Sequence, residues 1–396
     1  MPTFAPEHLE DLAARIFVAA GVPAGDAQMV AHSLVASNLL GHDSHGVLRI
    51  PQYLSLIREG QVQPGARVTI VQETDCTAVL DGNFGFGQIV ARKAMEIAIS
   101  KAASHGTSSV AVRRATHVGR LGEYPTMAAQ QGMIGMAMAN NHGGGLCMAP
   151  WGGMERRLSP NPIAFAVPTS EGQPIVLDMT SSVCAEGKLR VMRNRGEALP
   201  EGWIIDGHGW PTTDPAAFYG SPQGALLPLG GTVGYKGFGL CLVMDILAGA
   251  LSGAGCSGSS DAVSMQGLFV SVTNIASFTT PDEFREQVQG LVRFVKSSLT
   301  LPGVAEILVP GEPEFREERR RRSEGIPLDE GTWRQVLDAA ETVGLDLASE
   351  AESGPGPRAG VTGRPRRVPT LACAAAAPEQ SAHDRMSTPA QPGSAG

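Results

Sequence analysis

The densest concentration of reactive side chains lies at Gly41-His42-Asp43-Ser44-His45-Gly46, with a guanidinium following at Arg49. Two imidazoles, a carboxylate and a hydroxyl between two glycines can converge outward, because glycine frees the backbone on either side. Were residues 45–49 helical, His45 and Arg49 would share a face, so that one exchanges a proton while the other grips a carboxylate through two parallel hydrogen bonds. For His42 and Asp43 the plainer use is as caps of the flanking helices. Joined by His117 or His142, the same cluster also offers metal ligands, and a metal-dependent hydrolase built on His42, Asp43 and His45 is the alternative chemistry; it would need three convergent ligands and an open position.

A second cluster, Thr116-His117-Val118-Gly119-Arg120-Leu121-Gly122, stands between a β-type run and a helical one. Such junctions bind ligands in open α/β sheets, and their backbone N–H groups favour anions. A third group is Asn140, Asn141, His142 and Gly143–Gly145, with Pro150-Trp151-Gly152-Gly153 and Ser159-Pro160-Asn161-Pro162; amides beside glycines suit a flat polar ligand, or simply turns. Asp178-Met179-Thr180-Ser181-Ser182 with Lys188 beyond, and Gly234-Tyr235-Lys236-Gly237-Phe238-Gly239, complete the set. Neither GxGxxG after a strand, nor GxxxxGK[ST], nor GxSxG occurs, which argues against a Rossmann site, a P-loop and a serine hydrolase.

Positioning these groups requires a scaffold that the apolar spacing predicts. Leu9, Leu12, Ala13, Ile16 and Phe17 mark a first helix from Pro6, a second covers 26–40 and a third follows Pro51, so residues 1–66 form an N-terminal helical unit carrying the first cluster. Across 67–352, β-type runs (78–80, 109–112, 133–138, 163–167, 175–177, 267–272) alternate with helical stretches (89–102, 124–131, 236–251, 283–298), an α/β signature. Residues 187–232, rich in Gly and Pro, are expected to be a loop-rich excursion, and 353–396, with seven Pro and no aromatic residue, a disordered tail.

Composition narrows the function classes. The chain has 396 residues, 42% hydrophobic and 18% charged, with a net charge of −8; the tail is basic, so the body is more acidic still. Nucleic acid is therefore not an expected partner. The run Arg319–Arg322, flanked by glutamates, is expected to be a solvated helix face. No apolar run is long enough to span a membrane, and six scattered cysteines without a CxxC pair read as free thiols. A cytoplasmic location is expected.

Taken together, GHDSHGVLRIPQY (41–53), ATHVGRLGEYPTMAAQQGMIGMAMAN (115–140), APWGG (149–153), SPNPIAFAVPT (159–169), VLDMTSSV (176–183), GYKGFGLCLVMDILAGALSGAG (234–255) and PGEPE (310–314) resemble the malate/L-lactate dehydrogenase family, also called the ureidoglycolate and sulfolactate dehydrogenase type. The resemblance implies an α/β, non-Rossmann fold and an oxidoreductase that uses NAD or NADP, with NAD preferred. It moves a hydride reversibly between nicotinamide and C2 of a small 2-hydroxy/2-oxo acid or, within the same family, reduces a cyclic imino acid. It further implies a homodimer.

By the same resemblance, Ser44 and His45 are a proton relay, Arg49 anchors the substrate, and His117 stands at substrate and nicotinamide. Cofactor contacts are expected at His117, Val118, Gly119, Arg120, Leu121, Asn141, Asp178, Met179, Thr180, Lys188, Lys236, Gly311 and Glu312. No resident metal is expected. The chain departs from the family pattern at Pro160, where many members have Thr, and at Val118 and Arg120; the last adds a cation.

Overall fold

The computed structural model describes residues 2–143, 145–259 and 265–347; the expected disordered tail and Cys373 lie outside them. The chain opens with a short strand, β1 (Thr3–Phe4), and three helices, α1 (Pro6–Ala19), α2 (Ala24–Leu39) and α3 (Ile50–Arg58). Pro6 occupies the first turn of α1, where its missing N–H costs no hydrogen bond, and all five apolar residues that predicted the helix are buried.

Alternation follows with β2 (Thr69–Glu73), β3 (Thr77–Asp81), α4 (Gly87–His105), β4 (Thr107–Ala115), α5 (Glu123–Gln130), β5 (Met133–Asn141), β6 (Pro162–Val167) and β7 (Ile175–Thr180). Next come α6 (Glu186–Arg195), β8 (Ile204–Ile205), β9 (Pro211–Thr212), α7 (Pro215–Tyr219), β10 (Ala225–Leu226) and α8 (Tyr235–Asp245). The described chain closes with β11 (Gln266–Asn274), α9 (Pro281–Lys296), α10 (Glu312–Glu324), β12 (Ile326–Pro327) and α11 (Glu330–Glu341).

Seven strands make one mixed sheet in the order β2-β3-β4-β11-β5-β6-β7. Only β3 and β4 run parallel, and α4 supplies the crossover that a parallel pair needs. Val110, Val112, Ala137, Leu268 and Val270 pack with Val90, Ala94 and Met95 of α4 in one buried cluster. The stretch 187–232 holds two helices and a small sheet ordered β10-β8-β9; its pairings are two residues long, too short to leave a periodic signal. Helix α8 passes at Ile246 into a π turn, Ile246–Ala250. No described helix is long and apolar enough to cross a membrane.

The N-terminal helices are completed from the far end of the chain. Phe4 pairs with Ile326, and Ile326, Leu328, Trp333 and Val336 join Phe4, Phe17 and Leu34 in a single buried cluster. Each large side chain so buried contributes about 1.5–3 kcal/mol.

Candidate active site

The first cluster is not one helix: two single 3₁₀ turns, Asp43–His45 and Val47–Arg49, are separated by Gly46 in extended backbone. Gly46 is required there because a Cβ would stand 2.2 Å from Asn38 Oδ1. From α2, Asn38 accepts the Val47 N–H at 2.9 Å and donates to Asp43 Oδ1 at 2.7 Å, tying the second turn to the first.

Asp43 is not a simple cap either. Arg321 reaches it from α10 with both terminal nitrogens, Nη1 at 2.6 Å and Nη2 at 3.0 Å, and Nη1 also donates to the Asn38 carbonyl. The expectation of a solvated basic run holds for Arg319, Arg320 and Arg322, which are exposed, but Arg321 is buried. It is pulled inward by the planar match of guanidinium to carboxylate. Arg321→Met is expected to lower stability by about 1–3 kcal/mol and kcat/KM by about tenfold. A lower Tm with kcat/KM unchanged would reduce the clamp to a purely structural role.

Inside the loop so fixed, Ser44 Oγ lies 3.1 Å from His45 Nδ1, and Arg49 donates through Nε to the Ser44 carbonyl at 2.7 Å and through Nη1 to Gln52 at 2.7 Å. Two of the five N–H groups of a guanidinium are thus engaged, and the rest can receive an anion. His117, at the end of β4, brings its ring parallel to that of His45, centroids 5.5 Å apart and planes 18° apart. The structure therefore brings together His45, His117, Ser44 and Arg49 from two distant segments.

Electrostatics make both imidazoles neutral at pH 7. Burial, reinforced by Arg49, His42 and Arg120, pushes His45 down to about 3. Burial, with Arg49 and His45, also holds His117 well below its ordinary value. His42 is lowered chiefly by burial and Arg120, against the opposing pull of Asp178, Glu314 and Asp43. The departure at residue 120 thus places a cation within electrostatic reach of both His42 and His45. Arg120 is balanced by Asp178, 3.5 Å away, whose carboxylate also accepts the Gly122 N–H at 2.7 Å.

The remaining expected cofactor residues are more dispersed. Val118 and Leu121 are buried in the sheet core, and both backbone groups of Val118 are used, by Gln266 Oε1 and the Tyr124 hydroxyl. Gly119 adopts φ +73°, open to glycine but strained for other residues. Met179 packs with Ile163 and Met244, and Thr180 bonds Ser182 Oγ at 2.6 Å. The Asn141 N–H faces Asn161 Oδ1 at 3.4 Å. Lys188 and Lys236 are exposed near the starts of α6 and α8. Gly311 caps α10 against Val176, while Glu312 is held by Lys296 at 2.6 Å and the Val309 N–H at 3.0 Å. Glu312 and Lys296 line a cavity of about 430 Å³ together with Glu171, Gln289 and Arg293.

Two residues beneath the site carry no expectation from sequence. Tyr53 on α3 bonds His117 Nδ1 at 2.8 Å, and Gln88 on α4 donates to the Tyr53 hydroxyl at 2.8 Å. Tyr53 lies four residues after Arg49, itself four after His45, a periodicity that could have flagged it; Gln88 offers no such signal. Among the described residues, no group of three or more His, Cys, Asp or Glu could hold a metal ion, and Asp43 is committed to Arg321.

Neutral imidazoles thus stand beside a fixed guanidinium at one end of a mixed α/β sheet. Residues 4–337 match the malate/L-lactate dehydrogenase family. A malate dehydrogenase of Pyrococcus abyssi is 39% identical over 347 residues, covering 86% of this chain and 94% of the relative. The solved sulfolactate dehydrogenase of Methanocaldococcus jannaschii superposes with a TM-score of 0.79 at 35% identity, covering 88% of this chain and 99% of the other. A Δ1-piperideine-2-carboxylate reductase from Pseudomonas syringae superposes with a TM-score of 0.76 at 29% identity, covering 86% and 100%. The chain belongs to the malate/L-lactate dehydrogenase family of oxidoreductases.

Proposed function

We propose that this protein moves a hydride reversibly between NAD or NADP and C2 of a small 2-hydroxy/2-oxo acid. The observation that carries this is the convergence of His45, His117 and Arg49 in one partly buried site. Arg49 binds the carboxylate and fixes the reacting carbon, which converts binding into orientation. His45 and His117 exchange the proton at, or hold a hydrogen bond to, the C2 oxygen. Burial around them excludes water and strengthens each of these contacts.

The residues present fit a dinucleotide. Asn161 Nδ2 and His142 Nδ1 are buried without hydrogen-bond partners among the described residues, next to the Asn141 backbone, and offer polar contacts to a ligand. Lys188 and Lys236 supply exposed cations for its phosphates, and His117, Gly119, Arg120, Asp178, Thr180, Gly311 and Glu312 would complete the binding surface. When bound, the nicotinamide carries the hydride.

A panel of 2-oxo acids and cyclic imino acids with NADH and NADPH in parallel tests this assignment. Consumption of reduced nucleotide with at least one 2-oxo acid is expected. Turnover of the imino acids alone would move the assignment to an imino-acid reductase, and turnover of nothing in the panel would overturn it. We further assign the protein as a cytoplasmic homodimer. In support, Leu242, Val243, Ile246 and Leu251 form an exposed apolar run along α8 and its π turn, and Cys147, Cys184 and Cys241 are unpaired thiols suited to a reducing compartment. Light scattering at the mass of a single 41.3 kDa chain would refute the dimer.

A further inference from the structure

We infer that Gln88 and Tyr53 are positioning residues, forming a buried one-way chain of donors that keeps the proton of neutral His117 on Nε2. The inference rests on the proposed hydride transfer only for its kinetic consequence; the tautomer itself is a property of the free protein.

The geometry leaves His117 Nδ1 a single part to play. The Gln88 amide donates to the Tyr53 hydroxyl at 2.8 Å, so the hydroxyl hydrogen is turned toward its other neighbour, His117 Nδ1, also at 2.8 Å. A second donor, the Gly119 N–H, faces the same nitrogen at 3.3 Å. A backbone N–H cannot reverse its polarity. Turning the Gln88 amide round would give its buried, unpartnered Oε1 the Tyr53 hydrogen, but Nδ1 would then have to carry a hydrogen toward the Tyr53 oxygen, leaving the Gly119 N–H facing a donor. With Nδ1 accepting, the neutral ring carries its hydrogen on Nε2.

The chain is fixed by close backbone contact. A Cβ on Gly87 would lie 2.3 Å from the Thr116 carbonyl and 2.4 Å from that of His117, so only glycine lets the start of α4 press against the strand end. The Gly87 N–H donates to Thr116 Oγ1 at 3.0 Å, and Thr116 donates on to the Gly85 carbonyl at 2.9 Å. Gln88, the next residue, is thereby held under the imidazole and is 2% exposed. Tyr53 is buried too, and burial raises its phenol to about 12, so it remains a donor at every pH the protein meets. Besides Tyr53, the charged or titratable groups that bear on His117 are Arg49 and His45.

In this tautomer His117 offers the C2 oxygen of an oxo acid a hydrogen-bond donor. As a neutral ring it polarises the oxo group and keeps its hydrogen, so the proton that completes reduction comes from another donor, and the hydroxy acid meets a ring whose tautomer must change before Nε2 can act as a base.

Nitrogen-15 NMR of the imidazoles in the substrate-free, full-length protein tests this directly. The expected result near neutral pH is a protonated Nε2 and a bare Nδ1 on His117, with Tyr53→Phe and Gln88→Met moving the ring toward a mixture of tautomers. In steady state both variants should lower kcat by about 10–100-fold, with KM for the acid changed by less than about threefold. Gln88→Glu, nearly isosteric but acceptor-only when ionised, should draw the proton onto Nδ1 and favour oxidation relative to reduction. An Nδ1-protonated His117 in the unmodified protein overturns the inference, as does a tautomer unmoved in Gln88→Met and Gln88→Glu. Should Tyr53→Phe fail to fold, the unmodified protein and the Gln88 variants still decide it. Failure of every acid to turn over would leave the NMR result standing, so the two proposals fail separately.

Discussion

Replacing His45 and His117 singly with alanine, and then together, is expected to give two different signatures and a strongly non-additive third. A ring that transfers the proton should cost roughly 10² to 10⁴ in kcat when removed and take one limb of the pH profile with it, whereas a ring that only orients the substrate should act mainly on KM. Their rings stack at 5.5 Å and His45 helps to keep His117 neutral, so the two are physically coupled. A double mutant much closer to the worse single mutant than to the product of both would mark one coupled unit. If both single mutants kept near-normal kcat and pH dependence, this site would not be the seat of the chemistry, whatever the family.

The second large effect is expected at Arg49. Lysine keeps the charge but loses the planar fork, and it cannot reproduce the Nε bond to the Ser44 carbonyl together with the Nη1 bond to Gln52. Arg49→Lys should therefore raise KM for the acid by about 10–100-fold while leaving cofactor affinity and Tm nearly unchanged. An unaltered KM across the substrate panel would remove Arg49 from the carboxylate site. A large loss of Tm would instead mean that its main work is to hold the Ser44–His45 turn.

Much of this was legible in the amino-acid order, and the reasons are local. The three N-terminal helices follow from 3.6-residue spacing around Leu9, Leu34 and Leu54, and the sheet strands from β-rich runs such as 109–112 and 267–272. The polar density of residues 41–46 and the position of His117 after a β-type run mark the candidate site in the sequence itself. What stayed hidden depends on contacts between distant segments. Arg321 looked like one more solvated cation among glutamates, because nothing near it in sequence reports the Asp43 carboxylate that it reaches. Gln88 lies in the first turn of α4, next to Gly87, whose partner, the His117 backbone, is brought in by the parallel pairing of β3 and β4. The shared helical face that would have joined His45 to Arg49 does not form, because Gly46 sits in extended backbone between two 3₁₀ turns.

The cation beside the histidines also couples the arrival of substrate to the surrounding solution. His45 is kept uncharged first by burial and then by Arg49, His42 and Arg120. On the proposed function a bound acid would carry a carboxylate to Arg49, and a diacid or sulfonated acid would bring a second anion within the field of Arg120. Each such anion would offset the part of the shift that comes from these cations, leaving the larger contribution of burial in place, and so would raise the proton affinity of His45 when the site is filled. On the proposed function, uptake of a proton by His45 together with the acid would make apparent affinity for the acid rise as the medium becomes more acidic.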